Sequence, residues 1–108
     1  MSKIKIRFLK NSFKQERKMI VDLGDYLQLL ESKGFQFGED AIGFIYFGKQ
    51  YTNAADELAR TALELTLKAQ KTFDGSFYVS LLELLTSNQI SSRTEAINYI
   101  KEHNILAL

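Results

Sequence analysis

"NAADELARTALELTLKAQK", residues 53–71, is the longest uninterrupted helical pattern in the chain, and the fold is read outward from it. Asn53 followed by Asp56 opens the segment, and Ala55, Leu58, Ala62, Leu65 and Ala69 recur at steps of three and four, forming one inner stripe. Its outer face sets Asp56 before Arg60 and Glu64 before Lys68, acid-before-base pairs one turn apart that each stabilise a helix by roughly 0.2–0.5 kcal/mol. Solvation accounts for those charges without a function. An amphipathic helix of this length buries its stripe only against other elements, so the flanks are searched for partners.

On the N-terminal side, residues 39–50 contain "AIGFIYFG", apolar nearly all round, which predicts a short, central, buried helix. Further upstream, Met19, Ile20, Leu23, Tyr26, Leu27 and Leu30 form another stripe. Asn11 or Ser12 opens it, Ser12 with Gln15 matching a reciprocal capping pattern, and Gly34 is the left-handed residue for its end. On the C-terminal side, "TFDGS" (72–76) reads as an Asp-Gly turn, and Phe77, Leu81, Leu84 and Leu85 resume helical spacing through residue 87. "SNQIS" (87–91) breaks it. Ser92-Arg93-Thr94-Glu95 is a Ser-x-x-Glu capping box opening a last helix with Ala96, Ile97 and Ile100 inward.

The remaining stretch is "KIKIRFLK", residues 3–10, whose strict alternation predicts a strand with Lys3, Lys5 and Arg7 on one side and Ile4, Ile6 and Phe8 on the other. A lone strand needs a partner for its backbone groups. "FQF" (35–37), a second copy of the chain, or an edge of another protein would serve. The expected architecture is mostly α: a compact bundle of four to five helices with one short N-terminal β-strand. It is read as a single domain over 1–108, with a basic strand or arm at 1–10 and a helical body at 11–108.

Composition narrows the function classes. The chain has 108 residues, 45% of them hydrophobic and 25% charged, a balance typical of a globular protein. It contains no cysteine, which removes disulfides, thiolate catalysis and sulfur-ligated zinc and suits a reducing, cytoplasmic setting. No secretory signal pattern is read at the N-terminus, and "AIGFIYFG", at eight residues, is far short of a membrane span. Net charge is +1 but is unevenly spread: residues 1–18 hold seven bases and one acid, and the other ninety hold seven bases and twelve acids. A cationic end on an otherwise anionic chain points to an anionic partner.

The candidates for chemistry all have simpler explanations. "GFIYFGKQ" (43–50) has the Gly-x-x-x-x-Gly-Lys spacing of a phosphate loop. Phe44, Ile45, Tyr46 and Phe47 are too bulky for an anion nest, and Gln50 stands where a metal-binding hydroxyl is needed. His103, the single histidine, falls where a helix C-terminus would be capped. Asp22 with Asp25 shares a helical face, but no Glu-x-x-His partner accompanies it; Asp56 and Glu57 suit a first helical turn. No Gly-x-Ser-x-Gly elbow occurs. No catalysis, cofactor, metal or small-molecule substrate is therefore expected. Six of thirteen aromatics lie between 35 and 51 (Phe35, Phe37, Phe44, Tyr46, Phe47 and Tyr51), and core packing is favoured for them over a stacking platform for single-stranded nucleic acid.

The two ends of the chain resemble, in pieces, the ribbon-helix-helix DNA-binding family. The pieces are the basic-apolar strand and "SNQISSRTEAINYI" (87–100), which looks like that family's turn and second helix. The resemblance implies that Lys3, Lys5 and Arg7 would read the major groove from a strand paired across a dimer. Residues 81–103 also suit a helix-turn-helix with Ser92, Arg93 and Asn98 facing DNA. A recognition helix ordinarily carries the positive charge, and here Glu95 and Glu102 balance Arg93 and Lys101.

The expected function is a small non-catalytic protein-interaction or regulatory domain. Its candidate interface is Ile4, Ile6 and Phe8 with Ile105, Leu106 and Leu108 of the apolar tail, meeting a protein partner or a second copy. The alternative is a nucleic-acid-binding regulator using Lys3, Lys5, Arg7, Lys10, Lys14, Arg17 and Lys18. A charged strand edge also has a simple purpose, since it discourages uncontrolled pairing.

Overall fold

The helix that organises the molecule is the one first read from the sequence. In the computed structural model, which describes residues 22–106, α3 spans Asp56–Gln70 and is buried on nearly every side from Leu58 to Leu67. Small residues make this compatible with close packing: Ala59 and Ala62 let neighbours approach, and the Thr61 and Thr66 hydroxyls donate to the carbonyls of Glu57 (2.9 Å) and Ala62 (2.7 Å). Around it lie α1 (Leu23–Ser32), α2 (Glu39–Thr52), α4 (Gly75–Ser87) and α5 (Arg93–Glu102), each packed against α3. One continuous hydrophobic core draws on all five helices.

The described residues are all helical in their regular structure. The strand expected at 3–9 lies outside them, as do Ser12, Gln15, Met19 and Ile20. "FQF" is not a strand: residues 35–38 form an irregular connection in which Phe37 sets its ring edge-on to Phe73 at 6.3 Å.

Three local expectations are corrected. The first stripe does not run on as one helix from Ser12, because Asp22 has extended backbone (φ −129°, ψ 170°) and starts α1 by accepting the Asp25 N–H at 2.8 Å. Asn53 does not open α3; it closes α2 in the left-handed conformation (φ 58°), and Ala55 is the cap residue of α3. Asp74-Gly75 is not a free turn. Lys71 (φ 67°) turns the chain after α3, and Asp74 caps α4 by accepting the Phe77 N–H at 3.0 Å.

Other signals hold. Gly34 (φ +103°) follows α1, and the Phe35 N–H returns to the Leu30 carbonyl at 3.0 Å. Ser92 caps α5 through the Glu95 N–H at 3.2 Å, while the Glu95 carboxylate reaches back to the Ser91 N–H at 3.0 Å, one residue beyond the usual reciprocal partner. Hydrogen bonds to Ser91 and Ser92 hold the Glu95 carboxyl below the ordinary glutamate range. No helix among the described residues is long and apolar enough to cross a membrane.

The largest correction concerns α2. It forms where expected, but α3 takes the central place and only Ile45 and Gly48 of α2 are buried. The buried side of α2 meets α4 closely. A methyl group on Gly48 would lie 2.7 Å from Cε2 of Tyr78, whose buried hydroxyl donates to the Ile45 carbonyl at 2.7 Å. Burial pushes the Tyr78 phenol well above its ordinary value.

Candidate functional site

With Ile45 and Gly48 turned inward, the adjoining face of α2, about a quarter turn round the helix, carries Asp40, Phe44, Phe47 and Tyr51, spaced by four, three and four residues along one side. Phe44 is 46% exposed, Phe47 51% and Tyr51 61%. The rings order one another: Phe44 and Phe47 meet edge to face at 6.4 Å, and Phe47 stacks on Tyr51 at 5.4 Å and 13°. The Phe44 ring is braced from below by α4, because a Cβ on Gly75 would lie 2.9 Å from its Cδ1. Gly75 is thus present for close approach.

At the N-terminal end of this ridge, Glu39, Asp40 and Gly43 form a shallow, open depression with Phe44 and Phe47. Carboxylates therefore border the rings. Tyr46 flanks α2 on its other edge, with its hydroxyl 3.5 Å from the Cβ position of Gly24 at the start of α1. Taking about 200 Å² for each ring side chain, Phe44, Phe47 and Tyr51 together leave about 300 Å² in water. That is the lower end of the ~300–600 Å² spanned by the largest patch of an ordinary monomer, patches that are often functional.

The other polar features are absorbed by the fold. Asp56 accepts the Leu23 N–H at 3.0 Å and pairs with Lys49 at 3.1 Å, joining the ends of α1, α2 and α3; the expected Asp56–Arg60 pair is replaced by these contacts. Glu64 does face Lys68 at 3.6 Å, but its closer partner is Arg93, which donates from Nε at 3.0 Å and Nη2 at 2.8 Å. The Arg93 hydrogen bond holds the Glu64 carboxyl below the ordinary range. Glu57 accepts the Arg93 N–H at 2.9 Å, so α5 is clamped to α3 by its first residue.

These contacts bear on each sequence-derived candidate. Arg93 is committed to Glu64 and the Ser92 hydroxyl to its cap, so of the three residues read as facing DNA only exposed Asn98 is without such a commitment. Residues 43–50 are helical throughout and form no phosphate loop. The Asp22 carboxylate caps α1 by accepting the Asp25 backbone N–H; burial, then the Asp22 charge, raises the Asp25 carboxyl. His103 closes α5, with Nδ1 3.0 Å from the Tyr99 carbonyl. Among the described residues no three His, Cys, Asp or Glu side chains converge as metal ligands. Leu106 packs on the core and Ile105 stays partly exposed, while Leu108, Ile4, Ile6, Phe8 and the seven basic candidates of residues 1–18 lie outside the described residues.

Sequence pattern alone puts the aromatics of α2 in the core, where the structure instead leaves three of them exposed as the ridge. A signal was present: α2 holds more large apolar side chains than one helix face can bury, and Gly48 marks the side on which a neighbour comes close. Comparison with curated proteins and with solved structures gave no match. Residues 17–106, which include the whole ridge and exclude the alternating segment 3–10, match the model of a family of unknown function, and the chain belongs to that family, DUF6123.

Proposed function

We propose that this chain is a small, non-catalytic, cytoplasmic protein-interaction domain that holds its partner on the aromatic ridge of α2. The observation that carries the reading is the ordered run Phe44, Phe47 and Tyr51, each about half exposed or more and aligned on one helix face. Isolated surface apolar residues need no explanation, but three mutually packed rings on a rigid helix form the kind of anchor that dominates protein interfaces. At about 300 Å² the ridge is well below the ~800 Å² per partner of a standard stable interface. It therefore suits a short segment of a partner better than a broad surface. Apolar association also moves the main interface from the tail, where Leu106 already packs inward, to α2.

The test is affinity capture from extract of the source cells with the full chain, with Phe44→Ser/Phe47→Ser/Tyr51→Ser, and with Asn98→Ser/Glu102→Ser on α5 as control. A defined protein retained by wild type and control, lost with the triple serine variant and re-formed from purified components supports the proposal. Identical retention by wild type and triple variant contradicts it. The charge of residues 1–18 favours a second reading, nucleic-acid binding through that segment. Binding of that kind falls steeply with salt, whereas ridge binding persists at about 0.5 M.

A further inference from the structure

We propose that Arg60 anchors a binding site for the carboxylate of a small organic acid, in the cleft between α1, α3 and α5. The site uses no residue of α2 and is independent of the ridge.

Arg60 is an exception to the pairing described above. Helical spacing sets three carboxylates of α3 about one turn from it: Asp56 four residues before, Glu57 three before and Glu64 four after. Each is taken by another element. Asp56 holds the Leu23 N–H and Lys49, Glu57 accepts the Arg93 N–H, and Glu64 accepts from Nε and Nη2 of the Arg93 side chain. The Arg60 Nε is buried with no hydrogen-bond partner among the described residues, and no carboxylate among them pairs with its guanidinium. Covering Nε takes it from water without a contact in return, a cost that an acceptor of opposite charge on the same guanidinium offsets. The covered Nε also fixes the direction in which the two Nη groups are offered, so the fork is already oriented for a ligand.

The space beside it is small and polar. Tyr26 of α1, Glu57, Arg60, Thr61 and Glu64 of α3, and Arg93 of α5 line a cleft of about 220 Å³. At ~30 Å³ for each water in the liquid, that is room for about seven non-hydrogen atoms of ligand. It is below the ~300–1,000 Å³ of pockets for drug-sized molecules, which points to a small acid.

Charge decides the class. With Lys68, which faces Glu64 at 3.6 Å, the group holds three bases and two acids, so one positive charge is left for one negative charge. A carboxylate brings that single charge in the planar form that a guanidinium fork matches. A phosphate monoester carries nearly two charges and would meet Glu57 and Glu64 without the bases to balance them. The Tyr26 phenol is raised by burial first and by the Glu64 charge second, so it stays protonated beside the cleft and available as a donor.

The test is a titration of the isotope-labelled full-length protein at neutral pH and constant ionic strength. The probes are acetate, hexanoate and benzoate, each beside its neutral amide, and inorganic phosphate. Burial slows exchange of the Arg60 Nε–H with water, so its resonance is a direct reporter. The site requires at least one acid to shift that resonance and the amides of Tyr26, Thr61 and Arg93 saturably, with a Kd on the order of 1–10 mM. The matching amide and phosphate are expected to bind at least about ten-fold more weakly, and Arg60→Gln to weaken the acid by about the same factor. Circular dichroism reports whether the variant folds; where Arg60→Gln does not, Arg60→Lys carries the comparison, because the ammonium keeps the charge but loses the fork. Saturation by no acid of the panel, equal shifts from acid and amide, or an acid affinity unchanged in the folded variant overturns the proposal. Phosphate binding as tight as the best acid also overturns it, by reducing the cleft to a general attraction for anions.

Discussion

Replacing a mid-helix glycine by alanine ordinarily stabilises a protein, and α2 contains two glycines at which the same change is expected to act in opposite directions. At Gly43 an added Cβ meets nothing within 4 Å, so Gly43→Ala should gain the difference in helix propensity, about 0.8–1 kcal/mol. At Gly48 the added carbon falls 2.7 Å from Cε2 and 3.3 Å from Cδ2 of Tyr78 and 3.2 Å from Cγ2 of Val79. Carbon atoms pack best at about 3.5–4 Å, so the closest contact is short by roughly 1 Å. Tyr78 cannot swing aside, since its ring is fully buried and its hydroxyl is bonded to the Ile45 carbonyl. Overpacking costs about 1–3 kcal/mol and weakening the hydrogen bond about 1 more. Set against a propensity gain of about 1 kcal/mol, Gly48→Ala is expected to destabilise by about 1–3 kcal/mol. Urea unfolding followed by circular dichroism should show its midpoint lowered by an amount on the order of 1 M, with an unchanged slope, and the Gly43→Ala midpoint raised. A Gly48→Ala midpoint equal to or above wild type would refute the described approach of α2 to α4, and with it the placement of the ridge.

Other outcomes follow from the same contacts. Phe47→Ser should cost no more than about 2.5 kcal/mol, the burial of half a ring, while abolishing ridge-dependent binding; a loss of about 3–5 kcal/mol, as for a fully buried phenylalanine, would mean that the ring is part of the core. Asp56→Ala should cost about 1–2 kcal/mol in thermal or urea unfolding by leaving the Leu23 N–H and Lys49 without their partner. Glu64 is held below its ordinary pKa, so its contribution is present above about pH 4.3 and lost as the pH falls through the lower native value. Glu64→Gln should therefore cost under about 1 kcal/mol at neutral pH and flatten the acid limb of a stability–pH curve. Tyr78 has the opposite sign: its phenol is raised, so its contribution is complete below about pH 10 and is lost as the pH rises beyond that. Tyr78→Phe should lessen the alkaline loss measured by unfolding titration.

Much of the helical order was legible because it depends on local chemistry. Ser92 with Glu95 announces the start of α5, and Ala96 and Ile100 its buried side; both signals act within one or two turns. Gly34 likewise ends α1 where a left-handed residue is needed. Depth of burial was less legible. Period alone defines which residues share a face, but how many faces are covered depends on neighbours distant in sequence. Hence α3, whose small Ala59 and Ala62 and self-satisfied Thr61 and Thr66 admit neighbours all round, became the centre. The more hydrophobic α2 kept one side in water. Asp56 and Glu64 show the same limit for charge: helical spacing suggests Arg60 and Lys68, whereas tertiary packing gives Asp56 to Lys49 and adds to Glu64 a closer partner, Arg93.

Partners that meet α2 are detected most directly by photocrosslinking from the ridge itself. A benzoylphenylalanine placed at position 47 of the full chain, and separately at exposed position 98 on α5, would be activated in the source cells. The account requires an intermolecular adduct of defined mass from position 47 and none from position 98. An adduct from position 98 alone, or the same adducts from both positions, would contradict it.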